Sequence, residues 1–190
     1  MIAALSLGTL LIAGFMRWES RVPAPMLPPR LLRVRAFTAA NATGFLSMAA
    51  ITSAAFLMSQ FFQLGLGYSP FATGLRFLPW TATPLLVAPF AGRLGDRIGS
   101  MPLMAAGMAL QAAGLGWTAL EVTTGTRYTQ LVLPLVIAGV GISMAIPTTP
   151  TAALGAVPPA DMGTASGVQN TLQRFGAVFG VAIVSRATIG

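Results

Sequence analysis

Long apolar runs alternate with short polar joints along this chain. The runs cover Ile2 to Met16, Phe37 to about Phe62, about Ala72 to Phe90, Pro102 to Leu120, about Gln130 to Ile146 and about Gly163 to Val184. A soluble helical hairpin carries charge along one face of each helix, whereas these runs are apolar all round and their charges collect in the joints. In hydrocarbon the backbone must satisfy its own polar groups, which such runs do as helices. The pattern predicts an all-α, polytopic helical membrane protein of about six spans. Ile2 to Met16 falls short of the roughly 20 residues of a full crossing. Its positive charge follows rather than precedes it, unlike a signal peptide. Residues 1–16 therefore read as the end of a transmembrane helix. A basic, proline-rich cytoplasmic connector follows over 17–36, and a helical bundle over 37–190.

Composition agrees. The chain is 55% hydrophobic and 8% charged with mean hydropathy +0.76, outside the range of soluble domains. Its net charge of +7 comes from arginines, with no lysine. A basic balance can mark a nucleic-acid partner, but these arginines flank apolar spans instead of lining an amphipathic face, so no nucleic acid is expected. Placing Arg17, Arg21, Arg30, Arg33, Arg35, Arg93 and Arg97 in the cytoplasm leaves Arg127 and Arg186 outside, as alternation of the spans requires. There is no cysteine and no histidine, so disulfides, thiolate metal sites and the commonest general base are absent and no metal or cofactor is expected. No HExxH, GxSxG or P-loop pattern occurs, so an enzyme is not expected. No internal repeat is visible.

Within the runs, small and polar residues carry the detail. Pro79, Pro84 and Pro89 predict a kinked third span, eased by neighbours such as Thr81 and Thr83. Arg76 lies at its outer end and can snorkel outward. Gly107, Gly114 and Gly116 in the fourth span, Gly139 and Gly141 in the fifth, and the GxxxG pairs Gly163/Gly167 and Gly176/Gly180 in the sixth predict close helix contacts. The fifth span is expected to end where it meets Pro147 and Pro150. Pro158, Pro159 and Asp161 form a helix start. Between the third and fourth spans, Gly92 to Gly99 reads as a tight charged turn in water. Its glycines Gly92, Gly95 and Gly99 allow positive φ, and Asp96 sits ahead of the next helix.

Candidate chemistry is sparse. Asn41, Thr52, Ser59 and Gln63 share the second span, and the last three suit one face, serving helix packing or a water-filled cavity. Arg174 lies about 13 residues inside the sixth span, roughly 20 Å from its start. An arginine there costs about 2.5–3.5 kcal/mol on insertion scales. Either it lines a transport path or interdomain surface with Asn170 and Gln173, or it snorkels or caps a neighbouring helix. The four acids, Glu19, Asp96, Glu121 and Asp161, all fall at joints or helix ends, so no span carries a carboxylate able to pass a proton.

The motif Gly92-x-Leu94-x-Asp96-Arg97-x-Gly99 resembles the signature loop of the major facilitator superfamily, in its carboxy-terminal copy. Gly67-Tyr68-Ser69-Pro70, Gly74-Leu75, Phe77-Leu78-Pro79, Val157-Pro158-Pro159, Gly163-x-Ala165-Ser166-Gly167 and Asn170-Thr171 extend the likeness to the fourteen-helix drug:proton antiporters of EmrB/QacA type. The family often has Arg-Gln where this chain has Gln173-Arg174, and basic residues where it has Ser100-Met101. The resemblance implies the carboxy-terminal part of a multi-pass transporter of the bacterial inner membrane, lacking its last helix. It would export drugs or small organic molecules, with the lipid bilayer, the substrate and a missing amino-terminal half as partners. It implies a gating segment at Gly92, Asp96, Arg97 and Gly99, a cavity lined by the second and fifth spans, a half-to-half interface on the third and sixth, and a coupling acid in the amino-terminal half. The competing expectation is a truncated, non-transporting membrane protein or a half-transporter subunit.

Overall fold

In the computed structural model the described residues are 29–123 and 125–189, with helical positions 8, 10, 11, 13, 14, 17 and 18. Most of the expected first span and of the connector, including Glu19 and Arg21, lies outside them. The described residues form only helices. These are α1 (Pro29–Arg33), α2 (Arg35–Gln60) continuing as a π-helical turn (Phe61–Gly65), α3 (Pro70–Arg76), α4 (Leu78–Thr81), α5 (Thr83–Ile98), α6 (Ser100–Glu121), α7 (Tyr128–Leu154), a 3-10 turn (Pro159–Asp161) and α8 (Met162–Ile189). Arg35–Gly65, Ser100–Glu121 and Tyr128–Leu154 are long and apolar enough to cross a membrane. The expected third span is instead divided among α3, α4 and α5, and α8 carries Gln169, Asn170, Gln173 and Arg174 in its middle.

Helix α7 is the centre of the bundle, with α2, α4, α5, α6 and α8 packed on it. Its contact with α6 depends on glycine at three points. A Cβ on Gly141 would lie 2.3 Å from the Gln111 backbone nitrogen, one on Gly114 2.4 Å from that of Ala138, and one on Gly107 2.8 Å from the Ala145 nitrogen. Gly139 likewise admits the Trp80 carbonyl and Thr83 at the break between α4 and α5. The second close pair is α2 with α8, where Gly176 rests on the Phe45 carbonyl and Gly180 on the Ala49 carbonyl. That register runs both helices in the same direction. Not every expected glycine contact forms: Gly116, Gly163 and Gly167 face open space.

Several expectations are corrected. The charged stretch after the third span is not a loop, because α5 runs through Gly92, Arg93, Gly95 and Asp96 to Ile98. Arginine and leucine favour helix strongly enough to carry two glycines along. The chain turns at Gly99 alone, whose φ of 91° a side chain would resist. Asp96 accordingly sits exposed in the last turn of α5, the negative end of that helix, not ahead of the next one. Helix α7 does not stop at Ile146 but continues to Leu154 through Pro147 and Pro150. There the hydroxyls of Thr148, Thr149 and Thr151 donate to the carbonyls of Met144, Ala145 and Pro147, adding side-chain bonds where proline removes backbone donors. At the earlier break, Thr81 and Thr83 donate to the Phe77 and Pro79 carbonyls, as expected.

Arg76 is held by aromatic rings at the outer end. Its guanidinium lies 3.7 Å from the Tyr68 ring centroid and 5.4 Å from that of Tyr128, while one nitrogen donates to the Ala72 carbonyl at 3.0 Å. The Tyr128 hydroxyl in turn donates to the Arg76 carbonyl. Phe62, fully buried, meets Tyr68, Phe77 and Tyr128 edge-on or tilted, so a cation–π stack extends an aromatic cluster. At the opposite end, Arg30 donates to the Asp161 carboxylate at 2.8 Å. Leu31 beside it is 1% exposed, packed with Phe37, Val157 and Ala165. The described end of the connector is thus seated on the bundle.

Candidate transport site

Several polar residues of the spans gather where α2, α7 and α8 meet. Gly44 leaves room on α2, so that the Thr149 methyl and the Gln173 amide both approach the place a Cβ would take. With Ser47, Ala145 and Pro150, these three residues line a cavity of about 90 Å3. One turn along α2, Asn41 is buried; its amide nitrogen donates to the Phe37 carbonyl at 2.8 Å, and its amide oxygen has no partner. Gln169 on α8 is buried with an unpartnered amide nitrogen. Buried acceptors and donors left unpaired are costly, and they mark a polar seam inside an apolar bundle.

The six candidates from the second and sixth spans divide into four groups. Asn41 and Gln173 belong to the seam. Thr52 bridges helices instead, donating to its own Met48 carbonyl and to the Ala177 carbonyl of α8 at 2.9 Å. Ser59 accepts from Gln63 at 3.0 Å near the outer end of α2. Asn170 and Arg174 are exposed on α8, on the side away from α2. The Asn170 amide bonds the Ser166 carbonyl, while Arg174 has no hydrogen bond or ion pair to a described residue. Gln173 points into the bundle and Arg174 out of it, as the turn of about 100° between successive helix residues requires.

Sequence reasoning missed one member of the interior. Gln111 on α6, 2% exposed, accepts a hydrogen bond from the Ser47 hydroxyl at 3.0 Å and so ties α6 to α2. A single glutamine in the apolar run Met104–Leu115 was the available signal, since a lone polar group in a span needs an internal partner. The pair Arg30–Asp161 had no comparable signal, because its members are 131 positions apart. Among the described residues no cluster of His, Cys, Asp or Glu could hold a metal.

An all-helical bundle of apolar helices, glycine-seated and carrying a polar seam, is that of a polytopic membrane protein. The family model for the Major Facilitator Superfamily matches residues 1–181, and the chain belongs to that family of membrane transporters. It is 32% identical over 173 residues to the multidrug resistance protein Stp of Mycobacterium tuberculosis, covering 90% of this chain and 32% of that protein. It is 31% identical over 189 residues to the cephamycin export protein CmcT of Amycolatopsis lactamdurans, covering 95% and 38% respectively. The methylenomycin A resistance protein of Streptomyces coelicolor is 29% identical over 164 residues, covering 86% and 34%. The chain thus spans about a third of the length of these relatives.

Proposed function

We propose that the chain is the carboxy-terminal part of an efflux transporter of the fourteen-helix type, which exports drugs or other small organic molecules across the bacterial inner membrane by proton antiport. The observation that carries this reading is Arg174. It lies exposed in the middle of a helix of a membrane transporter, where an arginine needs protein or a water-filled path to cover it. The names of the relatives, which speak of multidrug resistance and of antibiotic export or resistance, supply the substrate class. Asn41, Thr52, Ser59, Asn170, Gln173 and Arg174 then belong to the path or the surface between halves, and the amino-terminal half supplies the proton-carrying acid that these spans lack. Full-length protein in proteoliposomes is expected to move a fluorescent drug when a pH gradient is imposed and to stop when a protonophore collapses it. Transport indifferent to the gradient would overturn the antiport reading.

Gly92, Asp96, Arg97 and Gly99 act in this proposal as the gating segment, now at the end of a helix and its one-residue turn. In the same assay Asp96→Asn is expected to lower export several-fold at unchanged membrane abundance. Lost abundance would assign Asp96 to folding.

A further inference from the structure

We propose that the outer face of α8 is a docking surface for a transmembrane helix bearing a carboxylate, and that Arg174 forms an intramembrane ion pair with it. This rests on the transporter reading above. Two faces of α8 are distinguished by what they touch. Gly176 and Gly180 are pressed on α2, and Gln173 reaches toward Gly44. On the other side Thr171, Arg174, Phe175 and Val178 follow the i, i+3, i+4, i+7 spacing of one helix face, and all are exposed. The polar neighbours on that side are already satisfied: Thr171 donates to the Gly167 carbonyl at 2.9 Å and Asn170 to that of Ser166 at 3.1 Å. Arg174 is the member of this face whose charge has no described partner.

Its position excludes snorkelling past an end of the helix. Arg174 lies about 18 Å from the first residue of α8 and about 22 Å from the last, at 1.5 Å per residue, too deep for the guanidinium to pass either end of the helix. Nor do the described residues hold the missing counter-charge. Asp161 is engaged by Arg30 and precedes α8. Glu121 accepts from the Trp117 indole at the end of α6. Asp96 closes α5, and Glu19 belongs to the polar connector. An arginine among exposed Phe175, Val178 and Ile183 therefore calls for an acid from outside these residues. The planar guanidinium suits a two-point pairing with a carboxylate. Charge complementarity thus selects an acidic transmembrane helix as the occupant, in preference to lipid tails, which cannot neutralise Arg174.

The test uses the full-length protein, in which each Asp and Glu predicted within a span outside these residues is paired in turn with position 174. These residues contain no cysteine, so once any cysteine elsewhere in the full-length protein is replaced, Arg174→Cys combined with a cysteine at each acid position reports proximity by oxidative crosslinking without any residual charge. One acid position is expected to crosslink. Exchanging the charges there, Arg174→Glu with the acid replaced by Arg, is expected to restore membrane abundance at least several-fold over either single reversal. No crosslink at any acid position, or an exchange no better than the single reversals, overturns the pairing. A wild-type protein that exports on a pH gradient yet gives no such pair would overturn this inference alone. A pair found in a protein without gradient-driven export would instead overturn the antiport reading and leave the docking surface standing.

Discussion

Replacing Gly141 with alanine is expected to loosen the bundle at its centre, and Gly114→Ala to do the same. The new methyl at Gly141 would sit 2.3 Å from the Gln111 nitrogen and 2.6 Å from the Gly107 carbonyl, and at Gly114 2.4 Å from the Ala138 nitrogen. All of these neighbours are backbone, so no side chain can swing aside and the two helices must separate. Overpacking of this kind costs about 1–3 kcal/mol, and here it also strains the Gln111–Ser47 bond that ties α6 to α2. Gly116, on the same helix as Gly114, is the control, since nothing lies within 4 Å of its added Cβ. Removing that glycine should be neutral or slightly stabilising, as alanine favours helix. Thermal unfolding of the purified full-length protein decides the matter. Equal transition temperatures for Gly141→Ala, Gly114→Ala and Gly116→Ala would show that the α6–α7 contact is not as close as described.

Arg30→Ala is expected to be the most damaging single change outside the spans. Asp161 keeps only 10% of its side chain exposed, and without Arg30 its carboxylate would stay in that site with no cationic partner. Removing one member of a fully buried pair costs about 3–5 kcal/mol. Arg30 itself is 71% exposed, so water and salt screen the pair and the loss should be about 1–2 kcal/mol. Asp161→Asn should cost less, because the freed arginine simply enters water. Combining Arg30→Ala with Asp161→Asn should recover part of the loss. A double-mutant cycle read by thermal unfolding at low and high salt tests this. Additive single effects would mean that the 2.8 Å contact contributes nothing to stability.

Much of the fold was legible because membrane burial leaves a strong sign. The apolar runs located α2, α6 and the starts of α7 and α8 within a few residues, and the prolines at 79 and 84 marked the breaks that divide the third span. Glycine spacing was a weaker guide. Gly176 and Gly180 and Gly163 and Gly167 have the same spacing on one helix, yet only the first pair faces α2, since spacing fixes a face and not what lies opposite. Glycine spacing suggests a charged turn over residues 92–99, whereas two of the three glycines sit inside α5 and only Gly99 adopts the conformation that requires one. Thr148, Thr149 and Thr151 hid the persistence of α7 beyond Pro147, as their bonds to the preceding turn are tertiary in consequence but local in origin. For the site, sequence singled out Asn41 and Gln173. It did not separate them from Arg174, which points the opposite way, nor could it pair Arg30 with Asp161 across the whole bundle.

The joint at Gly99 has a mechanical consequence. Helices α5 and α6 are separated by that single residue, so their ends stand at most about 7.6 Å apart, two Cα steps. A connection that short has no slack to absorb displacement. Any tilt of the charged end of α5 must be handed directly to α6 as a pull on its first turn, and α6 is clamped to α7 along its glycines. A displacement of the charged end of α5 would therefore be passed to the centre of the bundle, as by a crank rather than a tether.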